Sequence, residues 1–382
     1  MSKGDALLIL SIGDLVRAAR KAEGLRQADL AELAALPTSH LSDIERGATT
    51  PTIPTLRRLG QALNRPLEYF LQDSSRGPRS LGMVVQPTSI GGQAATYFAS
   101  LVEAKTGGEV RLRLYHHSAL GTALEQVEAL IEGAVPMYVD ELHTLESYAP
   151  WCGAVCLPFF FRDRAHYNRF LSSEYFRVHI QDILRETGIH LLNPVSNWEC
   201  GSFEILFSRQ PIFSPDDLVG CKIRSYPSPA AAALRRALGA EPVMVEWAQV
   251  CPAFQQGAID AFLAPAAYFL ATRFQQFARY ATLVRYGYTL NLTVIFSENA
   301  HLKLPPDIQQ ALEEAVVEAG EFCTQLAHEQ AERDLARLSG EFGVPVIVPD
   351  ERTWRARFNQ AIQQVCEGGL LPPGMYRQLQ EL

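Results

Sequence analysis

The sequence predicts an all-α bundle at the N-terminus, followed by a larger α/β domain. Three observations support this division. Helical periodicity extends from Ile12 to about Leu71, a polar stretch from Gln72 to Ser80 follows, and strands then alternate with helices. A chain of 382 residues is also too long for one ordinary core. We therefore expect a helical domain over residues 1–72, a linker over 73–80 and an α/β domain over 81–382.

Each domain is built from elements that the pattern indicates separately. Breaks at Gly24, Pro37, Gly47 to Pro54 and Asn64 to Pro66 divide the first region into four or five short helices. In the second region we expect strands at Val110–Tyr115 and His190–Val195, helices at Ala123–Glu132 and Ala230–Leu238, and a long helix from Pro305 to about Ser339 with a break at Gly320. A helix of that length is typical of an element that bridges domains or forms a dimer contact.

Charge is distributed unevenly along the chain. The net charge is −8 overall, but the first 80 residues carry +2 and the remaining 302 carry −10. Because nucleic acids attract basic surfaces, only the first segment could favour DNA.

The cysteine pattern and the hydropathy exclude several classes. Seven scattered cysteines indicate reduced thiols, and Cys152-x3-Cys156 has no second pair nearby to complete a zinc site. We therefore expect no metal and no cofactor. No run of 18 apolar residues exists, so we expect no contact with a membrane. The Ala6–Leu10 run is too short for a signal peptide, which favours the cytoplasm.

Two short helices at a tight angle are predicted inside the N-terminal bundle. The first starts at Gln27 and turns Leu30 and Leu33 to the core, while the small Ala31 lets a second helix pack close. The second covers Thr38–Glu45 and is capped by Thr38. Its side chains divide into an inward pair, Leu41 and Ile44, and an outward set, Ser39, Ser42 and Asp43.

This region resembles the Cro/phage-repressor-type (XRE) helix-turn-helix family, a lambda-repressor-like fold, over about 60 residues. The matching words are Val16-Arg17-x-x-Arg20, Gln27-Ala28-x-Leu30-Ala31, Leu41-Ser42-x-Ile44-Glu45-Arg46-Gly47 and Pro51-x-x-x-Thr55-Leu56. The resemblance implies the following DNA-binding roles: Thr38, Ser39 and Asp43 in the major groove beside Ser42, Gln27 and Arg46 on phosphates, and Arg20 paired with Glu45 to hold the first helix against the recognition helix.

Five words in order mark the second domain. They are Lys105-Thr106-Gly107-Gly108-Glu109-Val110, Tyr115-His116-His117-Ser118-Ala119-Leu120-Gly121, Leu157-Pro158-Phe159-Phe160-Phe161-Arg162-Asp163, Ser214-Pro215-Asp216-Asp217-Leu218-Val219-Gly220-Cys221-Lys222-Ile223-Arg224 and Gln255-Gln256-Gly257-Ala258-Ile259-Asp260. With Gln210-Pro211-Ile212, they resemble the DctP-type solute receptors of tripartite (TRAP) transporters over nearly all of residues 80–370. The resemblance implies a periplasmic-binding-protein-like fold, in which two α/β lobes close on an organic acid.

The same resemblance identifies candidate ligand-binding residues. Arg224 matches the family's carboxylate-binding arginine, a role that suits a guanidinium fork. Tyr226 and Trp247 are candidate cleft walls, with buried core aromatics as the open alternative. Phe203 stands where many relatives have a second arginine, and Ala264 stands where they have an asparagine. Loss of two polar contacts favours an aromatic or aliphatic monocarboxylate over a sugar acid or a dicarboxylate.

Together these signals predict a regulator that binds operator DNA as a homodimer and senses a small organic acid. Apolar positions in the long helix suggest an additional dimer contact, with packing on both lobes as the alternative: Ile308, Leu312, Val316, Phe322 and Leu326. An enzyme is disfavoured, because His116-His117 and Ser118 lack any nucleophile elbow. A second alternative is a DNA-binding protein whose large domain only contacts another protein. A transport component is disfavoured because no export signal is visible.

Overall fold

A computed structural model of the chain describes residues 12–71, 79–85, 90–116, 122–193, 198–199, 205–271, 274–284 and 291–382. The helical bundle comprises α1 (Ile12–Ala22), α2 (Gln27–Leu33), α3 (Thr38–Glu45), α4 (Ile53–Leu63) and α5 (Glu68–Leu71). Its core contains Leu30, Leu41 and Ile44, three of the apolar residues that the helical periodicity selected, each fully buried. The linker that the sequence predicts lies almost wholly outside the described residues.

Two details of the bundle differ from expectation. Leu33 is 62% exposed, because Leu30, Ala31 and Ala34 form the buried side of α2 and its last residue points outward. The N-cap of α3 is Pro37, in extended backbone, and Thr38 is the first helical residue. Because proline fixes its own φ and has no N–H to satisfy, it begins the helix without a side-chain cap. The cap predicted at Thr38 is therefore absent.

The first lobe begins with a parallel unit. Its elements are β1 (Arg79–Val85), α6 (Ile90–Lys105), β2 (Val110–His116), α7 (Ala123–Ile131) and β3 (Met137–Glu141), followed by a 3₁₀ helix at Leu142–Leu145. Short helices then form the outer layer: α8 (Trp151–Ala154), α9 (Arg164–Leu171), α10 (Glu174–Phe176) and α11 (Asp182–Glu186). The chain returns through β4 (Ile189–Leu191) and β5 (Trp198–Glu199). The strand predicted at His190–Val195 therefore ends at Leu191.

The second lobe repeats the α/β design. It comprises β6 (Ile205–Ser208), β7 (Lys222–Ser225), α12 (Pro229–Ala237), β8 (Glu241–Met244), α13 (Val250–Gln255), β9 (Ala261–Ala264), α14 (Ala266–Ala271) and β10 (Tyr280–Thr282). Strand β7 pairs in parallel with β8 and β9, so its carboxyl end, which carries Arg224, lies at the same edge as theirs.

The chain then returns to the first sheet and connects the two lobes. The remaining elements are β11 (Asn291–Ser297), α15 (Glu298–Leu302), α16 (Pro306–Gly340), β12 (Val346–Ile347), α17 (Glu351–Val365) and α18 (Met375–Gln380). The strand order is β2-β1-β3-β11-β4 in the first sheet, where β5 also pairs with β11, and β12-β10-β6-β9-β7-β8 in the second. Strands β11 and β12 thus belong to different sheets.

Helix α16 bridges both lobes. It is continuous through Gly320, which is buried, so the predicted break is absent. Ile308, Leu312 and Val316 lie in the core of the first lobe, whereas Leu338 lies in the core of the second. Three of the five side chains that suggested a dimer contact are therefore buried inside this chain. Of the other two, Leu326 is partly buried against the core of the first lobe and Phe322 is 37% exposed, so a dimer contact through α16 stays a prediction that would rest on Phe322.

Candidate functional site

The recognition helix α3 is fixed by a buried ion pair at its C-terminal end. The guanidinium of Arg20 binds the carboxylate of Glu45 through two bonds, Nε to Oε1 at 2.6 Å and Nη2 to Oε2 at 2.9 Å. Burial opposes ionisation of Glu45, but hydrogen bonds from Arg20 and Gln27 and the charges of Arg20 and Arg17 lower its pKa overall. The expected pairing of Arg20 with Glu45 is present, and it locks α1 against α3.

The outward residues of α3 have different environments. Thr38 and Ser39 are exposed, and Ser42 is half-buried. Arg46 is paired with Asp43, one turn earlier, so the cation expected on a phosphate is partly neutralised. The amide of Gln27 donates to Glu45 at 2.8 Å, so a phosphate would have to compete with that bond. The side chains assigned to DNA therefore lie on or beside α3, and Thr38, Ser39 and Arg46 are the exposed ones among them.

Arg224 lies at the carboxyl end of β7, where it contacts both aromatic residues that the sequence suggested. Its guanidinium carbon is 5.7 Å from the ring centre of Tyr226 and 5.4 Å from that of Trp247. Its Nε donates to the carbonyl of Val245 at 3.0 Å. The arginine is oriented by the backbone of the strand connection beside it and by two rings.

A residue that sequence reasoning missed meets this group from the first lobe. The ring of His143, in the 3₁₀ helix after β3, lies 3.9 Å from the ring centre of Tyr226. Burial would lower the pKa of His143, but the nearby carboxylates of Glu141 and Asp140 raise it overall, while Arg224 opposes them. No motif in the sequence around His143 indicates a role in binding. Only the packing of the two lobes brings it next to Tyr226.

The same segment of the first lobe supplies a buried carboxylate to the second. Glu146 accepts a hydrogen bond from the Ser228 hydroxyl and another from the backbone N–H of Ala230, at 2.9 Å. Gly153 lies against this carboxylate so closely that any Cβ there would overlap it. The N-terminus of α12 is thus occupied by a side chain of the first lobe. This contact closes one side of the inter-lobe joint, the region in which His143 meets Tyr226 and Arg224.

The polar groups around this joint define the chemistry that it can offer. Arg224 supplies a cationic fork, and Tyr226, Trp247 and His143 supply ring faces. Carboxylates of Asp140 and Glu141 lie within electrostatic reach of His143, and Tyr138 donates its hydroxyl proton to Asp140. A bound molecule here would meet the Arg224 guanidinium beside aromatic and acidic groups, and a second guanidinium, that of Arg235, lies 5.5 Å from the ring centre of Tyr226.

The remaining predicted residues fall elsewhere or cannot be placed. Ala264 is buried at the end of β9 in the core of the second lobe, where its methyl group packs among apolar side chains. Phe203 lies outside the described residues, as do His117 and Ser118. The thiols of Cys152 and Cys156 are held in a dehydrated interior that raises the pKa of both well above the ordinary value, which disfavours the thiolates a zinc site needs.

Comparison with known proteins identifies two families along the chain. Residues 81–368 match the family model described as bacterial extracellular solute-binding protein, family 7, and residues 16–70 match a helix-turn-helix model. The chain belongs to the family 7 solute-binding proteins. Its N-terminal head is an XRE-type helix-turn-helix domain fused to that family's two-lobed fold.

Several relatives are named for their ligands. The chain is 29% identical, over 259 residues, to the 2,3-diketo-L-gulonate-binding periplasmic protein of Escherichia coli, covering 68% of this chain and 77% of that protein. It is also 29% identical to the C4-dicarboxylate-binding periplasmic protein of Rhodobacter capsulatus, covering 67% and 75%. A solved TRAP solute-binding protein from Ochrobactrum anthropi with bound L-fuconate superposes with a TM-score of 0.71 at 25% identity, covering 79% and 98%.

Two further findings concern membrane-spanning helices and the class of the relatives. Among the described residues, no helix is both long enough and apolar enough to cross a bilayer. The relatives are solute-binding proteins rather than enzymes.

Proposed function

We propose that this chain is a cytoplasmic transcription regulator, in which a helix-turn-helix head binds operator DNA and a solute-binding domain senses a small organic acid without turning it over. The observation that carries the proposal is the fusion of the two domains in one chain, with the head seated on the sensor. Helix α4 packs against α7 of the first lobe, and Arg57 forms an ion pair with Glu132 at 2.7 Å.

The packing suggests how one site could bias the other. Helix α7 contacts α4 on the DNA-binding side, and it also packs against β3 and the 3₁₀ helix that carries His143. His143 in turn contacts Tyr226, next to Arg224. Closure of the lobes on a ligand would therefore act on the segment that supports α7. A measured coupling free energy between ligand binding and DNA binding tests this route.

The proposed ligand is a monocarboxylate with a body that stacks on rings. The guanidinium of Arg224 would take the carboxylate, and Tyr226, Trp247 and His143 would contact the body. Asp140 and Glu141 would repel a second carboxylate placed near them. Relatives are named for a diketo sugar acid and for C4-dicarboxylates, and these compounds are the natural competitors to include.

A thermal-shift screen of the full chain tests this proposal. The panel comprises arylacetates and arylpyruvates, aliphatic monocarboxylates, L-fuconate, 2,3-diketo-L-gulonate and succinate. We expect a monocarboxylate to raise the melting temperature in a concentration-dependent manner, because it binds only the folded state. A larger effect from succinate or the sugar acids would contradict the proposed ligand class. No shift with any acid would favour a large domain that contacts only another protein.

DNA binding is proposed to require a homodimer. One recognition helix reads only a half-site, and related domains use paired half-sites about one helical turn apart. The small positive charge of the head also makes paired binding necessary for affinity. Native mass spectrometry of the full chain, with and without DNA, measures this directly: we expect two chains per operator. One chain per DNA molecule at saturation would contradict it.

A further inference from the structure

Three potential metal ligands converge beside the first sheet, away from the inter-lobe joint. His190 lies on β4, while Glu298 and His301 lie one turn apart on α15. One ligand atom from each residue can be chosen so that all three lie within 4.8 Å of one another. The two imidazole rings stack with their centres 4.1 Å apart, and Nδ1 of His190 lies 3.2 Å from Oε2 of Glu298.

Three polar atoms of this cluster, one from each residue, have no hydrogen-bond partner among the described residues. Nδ1 of His190, Oε2 of Glu298 and Nε2 of His301 are all buried and unsatisfied. His190 is 7% exposed and His301 is 6% exposed. A buried polar atom without a partner costs about 1–3 kcal/mol, so three in one place require an explanation.

The geometry points to a common occupant rather than to a poor hydrogen bond. Nδ1 of His190 and Oε2 of Glu298 are close enough for a hydrogen bond, yet neither atom forms one. Two ligands on a tetrahedral zinc ion, at bond lengths of about 2.0–2.1 Å, lie about 3.3 Å apart. The observed separation of these two atoms, 3.2 Å, matches that spacing, and one ligand atom from each of the three residues lies within 4.8 Å of the others.

We propose that His190, Glu298 and His301 bind a divalent transition-metal ion of the zinc class. Two imidazoles and one carboxylate form a donor set that suits zinc or cobalt. With these three protein ligands, a tetrahedral ion keeps its fourth position for water. The ion would cross-link α15 to β4 and so fix one side of the first sheet. The proposal departs from the expectation of no metal, which considered only local cysteine spacing.

The charges around the cluster affect how tightly a cation could bind. An imidazole binds metal through the lone pair of its neutral form. Arg185 on α11 acts on both rings as a nearby positive charge, so it opposes a cation and should reduce the affinity.

Cobalt titration of the tag-free, full-length protein tests the proposal. We expect visible absorption bands that saturate at one equivalent of Co²⁺ and disappear when Zn²⁺ is added. His190→Asn, Glu298→Gln and His301→Asn should each weaken cobalt binding at least about tenfold. His328→Asn is the matched control, because His328 is exposed on α16 and lies outside the cluster.

Circular dichroism of the metal-free variants separates loss of ligand from loss of fold. Glu298→Gln is nearly isosteric and only partly buried, so its result decides the question if a histidine variant fails to fold. An absence of stoichiometric cobalt bands in the wild type would overturn the proposal. So would a Glu298→Gln variant whose cobalt affinity equals that of His328→Asn.

Discussion

Individual side chains define both proposed binding surfaces, and two arginines show how. Arg20 is buried and serves structure, because both of its bonds to Glu45 join helices of the same bundle. Arg224 stands at a strand end between two rings and near a histidine of the opposite lobe, which is where a ligand would enter. Burial and partners, rather than residue type, distinguish the two roles.

Replacement of Arg224 tests the proposed anchor. Truncation of one partner of a buried charged pair costs about 2–5 kcal/mol, so Arg224→Ala should weaken binding of the identified acid about 30-fold to several thousandfold. Arg224→Lys should recover only part of this loss, because an ammonium lacks the planar fork. The unliganded fold should lose about 1 kcal/mol through the missing bond to Val245. Isothermal titration that gives affinities within threefold of wild type for Arg224→Ala would disprove the anchor.

The Arg20–Glu45 pair should make the stability of the bundle depend on pH. The pKa of Glu45 is lowered in the folded chain, so the pair stabilises it above the unfolded pKa of about 4.3. That contribution is lost as the pH falls through the lower folded value. At pH 7, Glu45→Gln should cost about 3 kcal/mol, because Arg20 is left without its counter-charge. Amide hydrogen exchange in α1 and α3 measures the difference, which should shrink below about pH 4; a pH-independent difference would contradict this account.

At the scale of elements, the helix-turn-helix was predictable because its information is local. The period of apolar residues placed Leu41 and Ile44 inward, and the family words placed Arg20 opposite Glu45. The cap at Pro37 was missed because a hydroxyl next to a helix start is usually the better candidate. The exposed Leu33 was missed because a seven-residue helix is too short to fix its buried face by period alone.

Arg46 on the recognition helix should contribute to DNA binding without reading sequence. Its partner Asp43 is exposed, so a phosphate can compete for the guanidinium. Arg46→Ala should weaken binding to specific and random duplexes about equally and reduce the salt slope by about 1. Fluorescence anisotropy over a range of salt concentrations measures both effects. Arg352→Ala, which removes an exposed arginine of α17 that pairs with the N-cap residue Asp350, is the control and should change neither.

Long-range geometry was the part that sequence could not supply. Arg224, Tyr226 and Trp247 lie within 24 positions of one another and were found together. His143 and Glu146 reach the same joint from the other lobe, and His190 lies more than 100 positions from His301. Such pairs depend on how β11 pairs between β3 and β4 and on how the two lobes meet, and no local pattern in the sequence encodes either arrangement.

At the scale of the molecule, the contact between head and sensor is the proposed route of control. Arg57 and Glu132 are both partly solvent-exposed, so their pair should add little stability, about 0.2–1 kcal/mol. Because the pair lies between α4 and α7, we expect it to affect the coupling between ligand binding and DNA binding instead. Arg57→Glu should change the ligand-induced shift in DNA affinity by about 0.5–2 kcal/mol while leaving ligand affinity unchanged. Restoration by the double swap Arg57→Glu with Glu132→Arg would identify the pair itself; equal shifts in all three proteins would exclude it.

The account rests on communication between the acid site and the DNA head, and one titration tests it most directly. DNA selected from a random library by the full chain is titrated by anisotropy with and without the saturating acid found in the thermal screen. We predict that the acid changes DNA affinity about 5- to 150-fold, and that Arg224→Ala abolishes the change while keeping DNA binding. Superimposable DNA isotherms with the acid demonstrably bound would contradict the account.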